Sequence, residues 1–249
     1  MTGRGWLAAA LIGWLGGVWG AAADGASPLP EPMEILRRAL AQPANDPARD
    51  RTFDTRHTSV RTRTFELKDG DGKVLRRDEK RQNLGPRNDA ATPEDDTVAT
   101  DAKGKRKRAY QPRDFAVNEE LLARFTFTVV GREDYAGRPA WVIDFVPSGG
   151  DHPARDLKER FINATAGRVW IDVEESVLAR AQFRLAEPVK VWGGLVGSVR
   201  RCQSRLERTR TPDGAWYTRL FDWELDGRRL LSQRSMHFHE ERTEVRPID

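Results

Sequence analysis

The chain has a single cysteine, Cys202, among 249 residues. No disulfide within it is possible, whatever the redox compartment. Apolar material is also scarce: residues of the AVILMFWYC set make up 38%, against 32% charged. That supply suits a thin sheet with one open face better than a thick sandwich. No G-x-S-x-G motif occurs, and Gly194 to Ser198 places its glycines and serine in the wrong order for a nucleophile elbow. A phosphate-binding P-loop is missing, as is a G-x-G-x-x-G after a strand. Repeated βαβ units are absent too, which argues against a parallel sheet. Charge of one sign does not dominate, with 42 basic and 38 acidic residues giving +4. Such a balance creates no strong general field, and a pI near 9.4 favours anionic partners only weakly.

What is present begins with an address. Arg4 precedes the uncharged apolar run from Trp6 to Gly20, and Ala21-Ala22-Ala23 follows. These are the n-region, h-region and A-x-A site of a signal peptide, predicting cleavage after Ala23 and export. A membrane anchor is the rival reading, but five glycines within residues 5–20 and the short span weaken it. Cleavage removes Arg4 and leaves residues 24–249 as one domain. Export argues against nucleic acid as the partner of the basic run Lys103, Lys105, Arg106, Lys107 and Arg108. A solvated loop is the plain reading of that run, and an anionic membrane surface its functional rival.

Phe125, Phe127 and Val129 alternate with Thr126 and Thr128, and Trp141, Ile143 and Phe145 alternate after a turn-rich GREDYAGRP. This period of two in aromatic and β-branched residues predicts antiparallel strands half-buried on one face. Val169, Ile171 and Val173 repeat the pattern, and Val177, Ala179, Ala181, Phe183 and Leu185 repeat it on return. Further strands are expected near 198–209, 215–225 and 228–239, with turns at Thr211 to Gly214 and at Asp226-Gly227. An apolar stripe of Ile35, Leu36, Ala39 and Leu40 predicts a helix over 34–41, stopped by Pro43. Short helices are also expected over 115–123 and 156–164. Residues 52–67 and 73–84 flank Asp69 to Gly72 as two polar arms of an edge hairpin. The stretch 85–114 reads as a long charged loop. The fold class is therefore α+β, mainly β: about nine hairpin-connected strands in one curved antiparallel sheet with a few short helices.

Candidate chemistry is thin. His237 and His239 share a strand face and have metal-ligand spacing, yet the sequence supplies no third ligand. They read as part of an exposed polar face, and neither metal nor cofactor is expected. Cys202 lies between Arg201 and Arg205 but reads as a small strand residue beside Leu206. The remaining constellation is aromatic: Phe125, Phe127, Trp141, Ile143, Phe145, Phe183, Phe221 and Trp223, joined by Phe238, point to one side if the strand phases hold. Three short helices cannot cover so much apolar face, and Ala179 and Ala181 leave room beside it. An apolar pocket able to hold an acyl chain follows as the candidate site, with no catalytic residue assigned.

The succession VVGREDYAGRPAWVIDFVP, then AGRVWIDVEESVLARAQFRLAEP, a Gly-rich loop and further hairpins resembles the lipoprotein-carrier superfamily of bacterial envelopes. That superfamily includes the LolA and LolB carriers, the RseB sensor and outer-membrane lipoprotein-sorting-like proteins. The resemblance covers roughly residues 120–245. It implies an unclosed β-barrel wrapped around helices, a hydrophobic cavity for the acyl chain of a lipid or lipoprotein, and a periplasmic location. The polar arms at 52–84 and the charged insertion at 85–114 depart from the dedicated carriers, and no individual residue carries over. A sensor or protein-interaction module without cargo is the alternative implied by the same fold, and an envelope hydrolase ranks third.

Overall fold

The computed structural model describes residues 29–46, 51–85, 98–100, 106–108, 118–149, 152–154, 156–191, 197–229 and 232–248. The expected signal segment at 1–23, Phe115, Lys103 and Lys105 lie outside the described residues. Helix α1 spans Pro32–Ala41, with Pro at its first turn and the Glu31 carboxylate accepting from Met33 N at 2.6 Å. Ile35, Leu36 and Ala39 form its buried stripe. Gln42 precedes Pro43 and is extended, with φ −75° and ψ 122°, so the helix stops there.

Helix α2 (Thr52–Arg56) leads into β1 (His57–Asp69), and β2 (Val74–Leu84) pairs with β1. The short strands β3 (Val98–Thr100) and β4 (Arg106–Arg108) form a separate two-stranded ladder. Helix α3 (Glu119–Leu122) precedes β5 (Phe125–Tyr135) and β6 (Arg138–Pro147). Helix α4 (Leu157–Asn163) then leads to β7 (Thr165–Asp172), β8 (Leu178–Leu185), β9 (Val189–Val191), β10 (Gly197–Arg210), β11 (Trp216–Arg229) and β12 (Ser232–Pro247). The main sheet runs β2-β1-β12-β11-β10-β8-β7-β6-β5, with β9 beside β10. Every pairing is antiparallel, and among the described residues β2 and β5 are free edges, so the barrel is unclosed. The free β2 edge carries Arg76, Arg77, Asp78, Glu79, Lys80 and Arg81, all exposed, which discourages pairing with another chain.

Several expectations are corrected. Residues 52–56 are helical rather than extended: Thr55 Oγ1 bonds back to Arg51 O at 3.1 Å, and Phe53 is buried against Tyr217 with ring centroids 4.4 Å apart. Of the two polar arms only β2 is an edge, because β1 pairs with β12 on its other side. That long-range pairing also breaks the all-hairpin order. The charged stretch 85–114 is not loop throughout, since Arg106–Arg108 pair with Val98–Thr100. GREDY belongs to β5, leaving a two-residue turn at Ala136 and Gly137, and Gly131 marks a bulge in the strand. Asp226-Gly227 is no turn. Both lie inside β11, and a Cβ on Gly227 would meet Ser198 O at 2.7 Å. Glycine there serves close strand approach at the bulge between Val199 and Arg201. A further bulge, where Trp170 and Ile171 face Arg180 and Leu178, breaks the expected phase of β8. Leu178 consequently packs with α1, while Val177 and Ala179 join Trp216 in another cluster.

Candidate ligand-binding face

Alternation along the strands and the register between them give the sheet two chemically distinct faces. On the face that carries α1, one line of partners crosses eight strands. Phe127, Phe145, Gly167, Phe183, Ser204, Trp223, Phe238 and Phe65 are successive register partners from β5 to β1. No charged residue interrupts it. The next line on the same face runs Val129, Ile143, Val169, Ala181, Leu206 and Phe221, and ends in the Glu240–Arg63 ion pair. Beyond the aromatic line, Cys202, Leu225, Met236 and Leu67 extend the apolar surface across β10 to β1.

The aromatic rings fall into two groups. Phe125, Phe127, Phe145 and Phe183 are linked by centroid distances of 5.1 to 6.2 Å. Phe221 and Trp223 each lie 6.0 Å from Phe238. Gly167 makes the first group possible. A Cβ there would stand 2.1 Å from Gln182 O and 2.8 Å from Phe145 Cζ. With only hydrogen at that position, Phe145 and Phe183 meet across β7 at 5.8 Å.

Helix α1 covers only one end of this face. Ile35, Leu36 and Ala39 pack with Leu122, Val129, Ile143 and Ile171, and Phe127, Trp141, Val169 and Leu178 lie against that cluster. Ile143 is 0% exposed and Phe145 6%. Trp141 also receives the Arg132 guanidinium at 5.0 Å. Phe125, Phe183, Phe221 and Trp223 are half-buried and belong to none of the described buried clusters. The eight sequence-predicted residues thus divide into a covered group around Ile143 and a part-open group running toward β12. Phe65, Leu67, Leu206, Leu225 and Met236 were not singled out. Phe65 and Leu67 in β1, and Met236 in β12, share their face with charged neighbours such as Arg63, Glu240 and Arg234, so no run of apolar residues marks them and only the register does.

The opposite face is polar. Asp144, Arg168, Gln182, Arg205, Asp222, His239, Thr64 and Glu79 are register partners in line. Arg168 donates to Asp144 Oδ1 at 2.5 Å and Oδ2 at 2.9 Å, and these bonds hold the carboxyl below its usual range. One apolar island sits here: Trp170 is buried beside Val142, with Arg180 4.7 Å above its ring and Glu133 accepting its indole N–H at 2.9 Å. Burial pushes the Cys202 thiol up, so it is a packing residue rather than a nucleophile. His57 and His152, isolated in sequence, gain partners. His57 Nε2 lies 3.0 Å from Asp213 Oδ1, and His152 Nε2 lies 2.8 Å from Ser148 Oγ. A cleft of about 490 Å³, lined by Gln42, Thr52, Glu174, Glu175 and Trp216 among others, lies at the far end of β7 and β11 and not on the aromatic line.

No protein-family model and no curated protein matches the chain. The chain is similar to several solved structures. They include a DUF1329 family protein from Desulfovibrio piger, 11% identical, covering 86% of this chain and 92% of that one, with a TM-score of 0.35. A domain of outer-membrane lipoprotein-sorting type from Vibrio parahaemolyticus is 10% identical over 86% and 91% of the two chains, at a TM-score of 0.32. A LolA superfamily protein from Nitrosomonas europaea is 10% identical over 87% and 93%, at 0.31. The chain is similar to these proteins over most of their length, while its fold and site rest on its own strand order and register.

Proposed function

We propose that this is an exported, periplasmic binding protein of a single domain, residues 24–249, that holds an acyl chain of a lipid or lipidated protein against the α1-bearing face. The observation that supports this reading is the uncharged line from Phe127 to Phe65, which α1 covers only at its β5–β7 end. The part that no described helix covers runs over β8, β10, β11, β12 and β1, four strand spacings, or about 19 Å at roughly 4.8 Å each. Its walls are half-buried Phe183, Phe221 and Trp223, with Leu206 and Leu225 between them. An acyl chain laid there leaves water at about 0.8 kcal/mol for each buried methylene, so one chain provides useful, reversible affinity. Binding needs no catalytic group, and none is assigned.

The test is uptake of a fluorescent fatty acid by delipidated mature protein. Saturable uptake weakened at least tenfold in Phe183→Ala and Trp223→Ala, with unchanged circular dichroism, is expected. Absence of saturable uptake by a folded protein would reject the proposal and favour an interaction module without cargo.

A further inference from the structure

On the polar face, opposite Trp223 and Phe238, three donor atoms converge. Asp222 of β11 and His239 of β12 are direct register partners, and His237 lies two residues earlier on the same side of β12. His237 Nε2 and His239 Nδ1 each stand 2.9 Å from the same oxygen, Asp222 Oδ2. All three donors lie within 4.8 Å of one another. We propose that Asp222, His237 and His239 bind one divalent transition-metal ion of the zinc class.

The donor set has the right chemistry: two imidazoles and a carboxylate suit a borderline cation, and three protein ligands leave further positions for water or a partner's group. Tetrahedral ligands at about 2.0–2.1 Å from an ion stand roughly 3.3 Å apart. Opening each nitrogen–oxygen contact from 2.9 Å therefore takes only a few tenths of an ångström. The backbone supplies the rest, since all three residues sit on paired strands within a continuous ladder rather than on loops. Side-chain exposures of 23% for Asp222, 36% for His237 and 35% for His239 leave an approach from solvent. Arg205 is the register partner of Asp222 on β10, and carboxylates flank the histidines. Glu224 and Glu66 are the register partners of His237 on either side. Glu66 is engaged by Lys68 at 3.0 Å and Arg77 at 3.3 Å, and Glu224 accepts from Gln203 at 2.8 Å. They stand as an outer ring and leave the inner positions to the three donors.

Titration of the mature protein with Zn²⁺ by calorimetry, and with Co²⁺ by visible absorption, tests the assignment. One-to-one saturable Zn²⁺ binding is expected, with a Co²⁺ spectrum of low coordination number that Zn²⁺ displaces. Asp222→Ala, His237→Ala and His239→Ala should each weaken binding at least tenfold. Circular dichroism of each metal-free variant checks folding, and Glu79→Ala, on the same face, serves as a control that binds as the parent does. Absence of saturable binding in the parent would overturn the proposal. So would binding that survives in the folded His237→Ala/His239→Ala double variant.

Discussion

Substitution of Asp172 is expected to be among the most damaging single changes at the covered end of the sheet. Its carboxylate is 1% exposed and accepts four hydrogen bonds. Oδ2 accepts from Arg138 Nε at 2.6 Å; Oδ1 accepts from Arg138 Nη2 at 3.0 Å, Glu174 N at 3.0 Å and Glu175 N at 2.7 Å. These bonds tie the start of β6 to the turn between β7 and β8. Asp172→Ala takes the buried partner from the part-buried Arg138 guanidinium, which keeps only the more exposed Glu174 at 3.0 Å and Glu175 at 3.6 Å, and strands two backbone donors. Removing one partner of a buried pair costs about 3–5 kcal/mol. Asp172→Asn keeps the Oδ1 contacts but turns an amide N–H₂ toward Arg138 Nε, for a smaller loss of about 2 kcal/mol. Denaturant unfolding followed by tryptophan fluorescence measures both. Burial raises the Asp172 carboxyl pKa, but the Arg138 and backbone bonds outweigh it and hold the group below its usual value. Its contribution is therefore fully present above the unfolded aspartate pKa of about 3.9 and lost as pH falls through the lower folded value. The gap between parent and Asp172→Asn should narrow toward low pH. A loss under about 1 kcal/mol at neutral pH in Asp172→Ala would refute this reasoning.

Further outcomes follow from the same geometry. Gly167→Ala should destabilise by about 1–3 kcal/mol or more and separate Phe145 from Phe183, read by the same unfolding titration; a neutral effect would deny the close approach at β7. Ile143→Ala, fully buried under α1, should cost about 2–5 kcal/mol by thermal or denaturant unfolding. Cys202 should react with a maleimide more slowly than a free thiol at neutral pH, because burial holds it protonated; fast labelling of the folded protein would contradict that.

The sheet and its apolar face were legible because aromatic and β-branched residues alternate from Phe125 to Val129, from Trp141 to Phe145 and from Val169 to Ile171. What escaped reading was non-local. Helix α2 exists because Phe53 docks on Tyr217, a contact with no local signature. Gly227 carries a turn signal, but serves close packing against Ser198 instead. The pairing of β1 with β12 brings Phe65 to Phe238, and nothing in either strand announces the other. The same limit hid Asp222, since the partner of His237 and His239 lies on β11 and is fixed only by register.

The most direct test of a bound acyl chain is quenching of tryptophan emission by a brominated fatty acid, compared between the parent and Trp223→Phe. The account predicts saturable quenching in the parent, and a clearly smaller amplitude once Trp223 is replaced in a protein that still binds. Quenching of equal amplitude in Trp223→Phe, or none in the folded parent, would contradict an acyl chain lying along the line from Phe183 to Phe65.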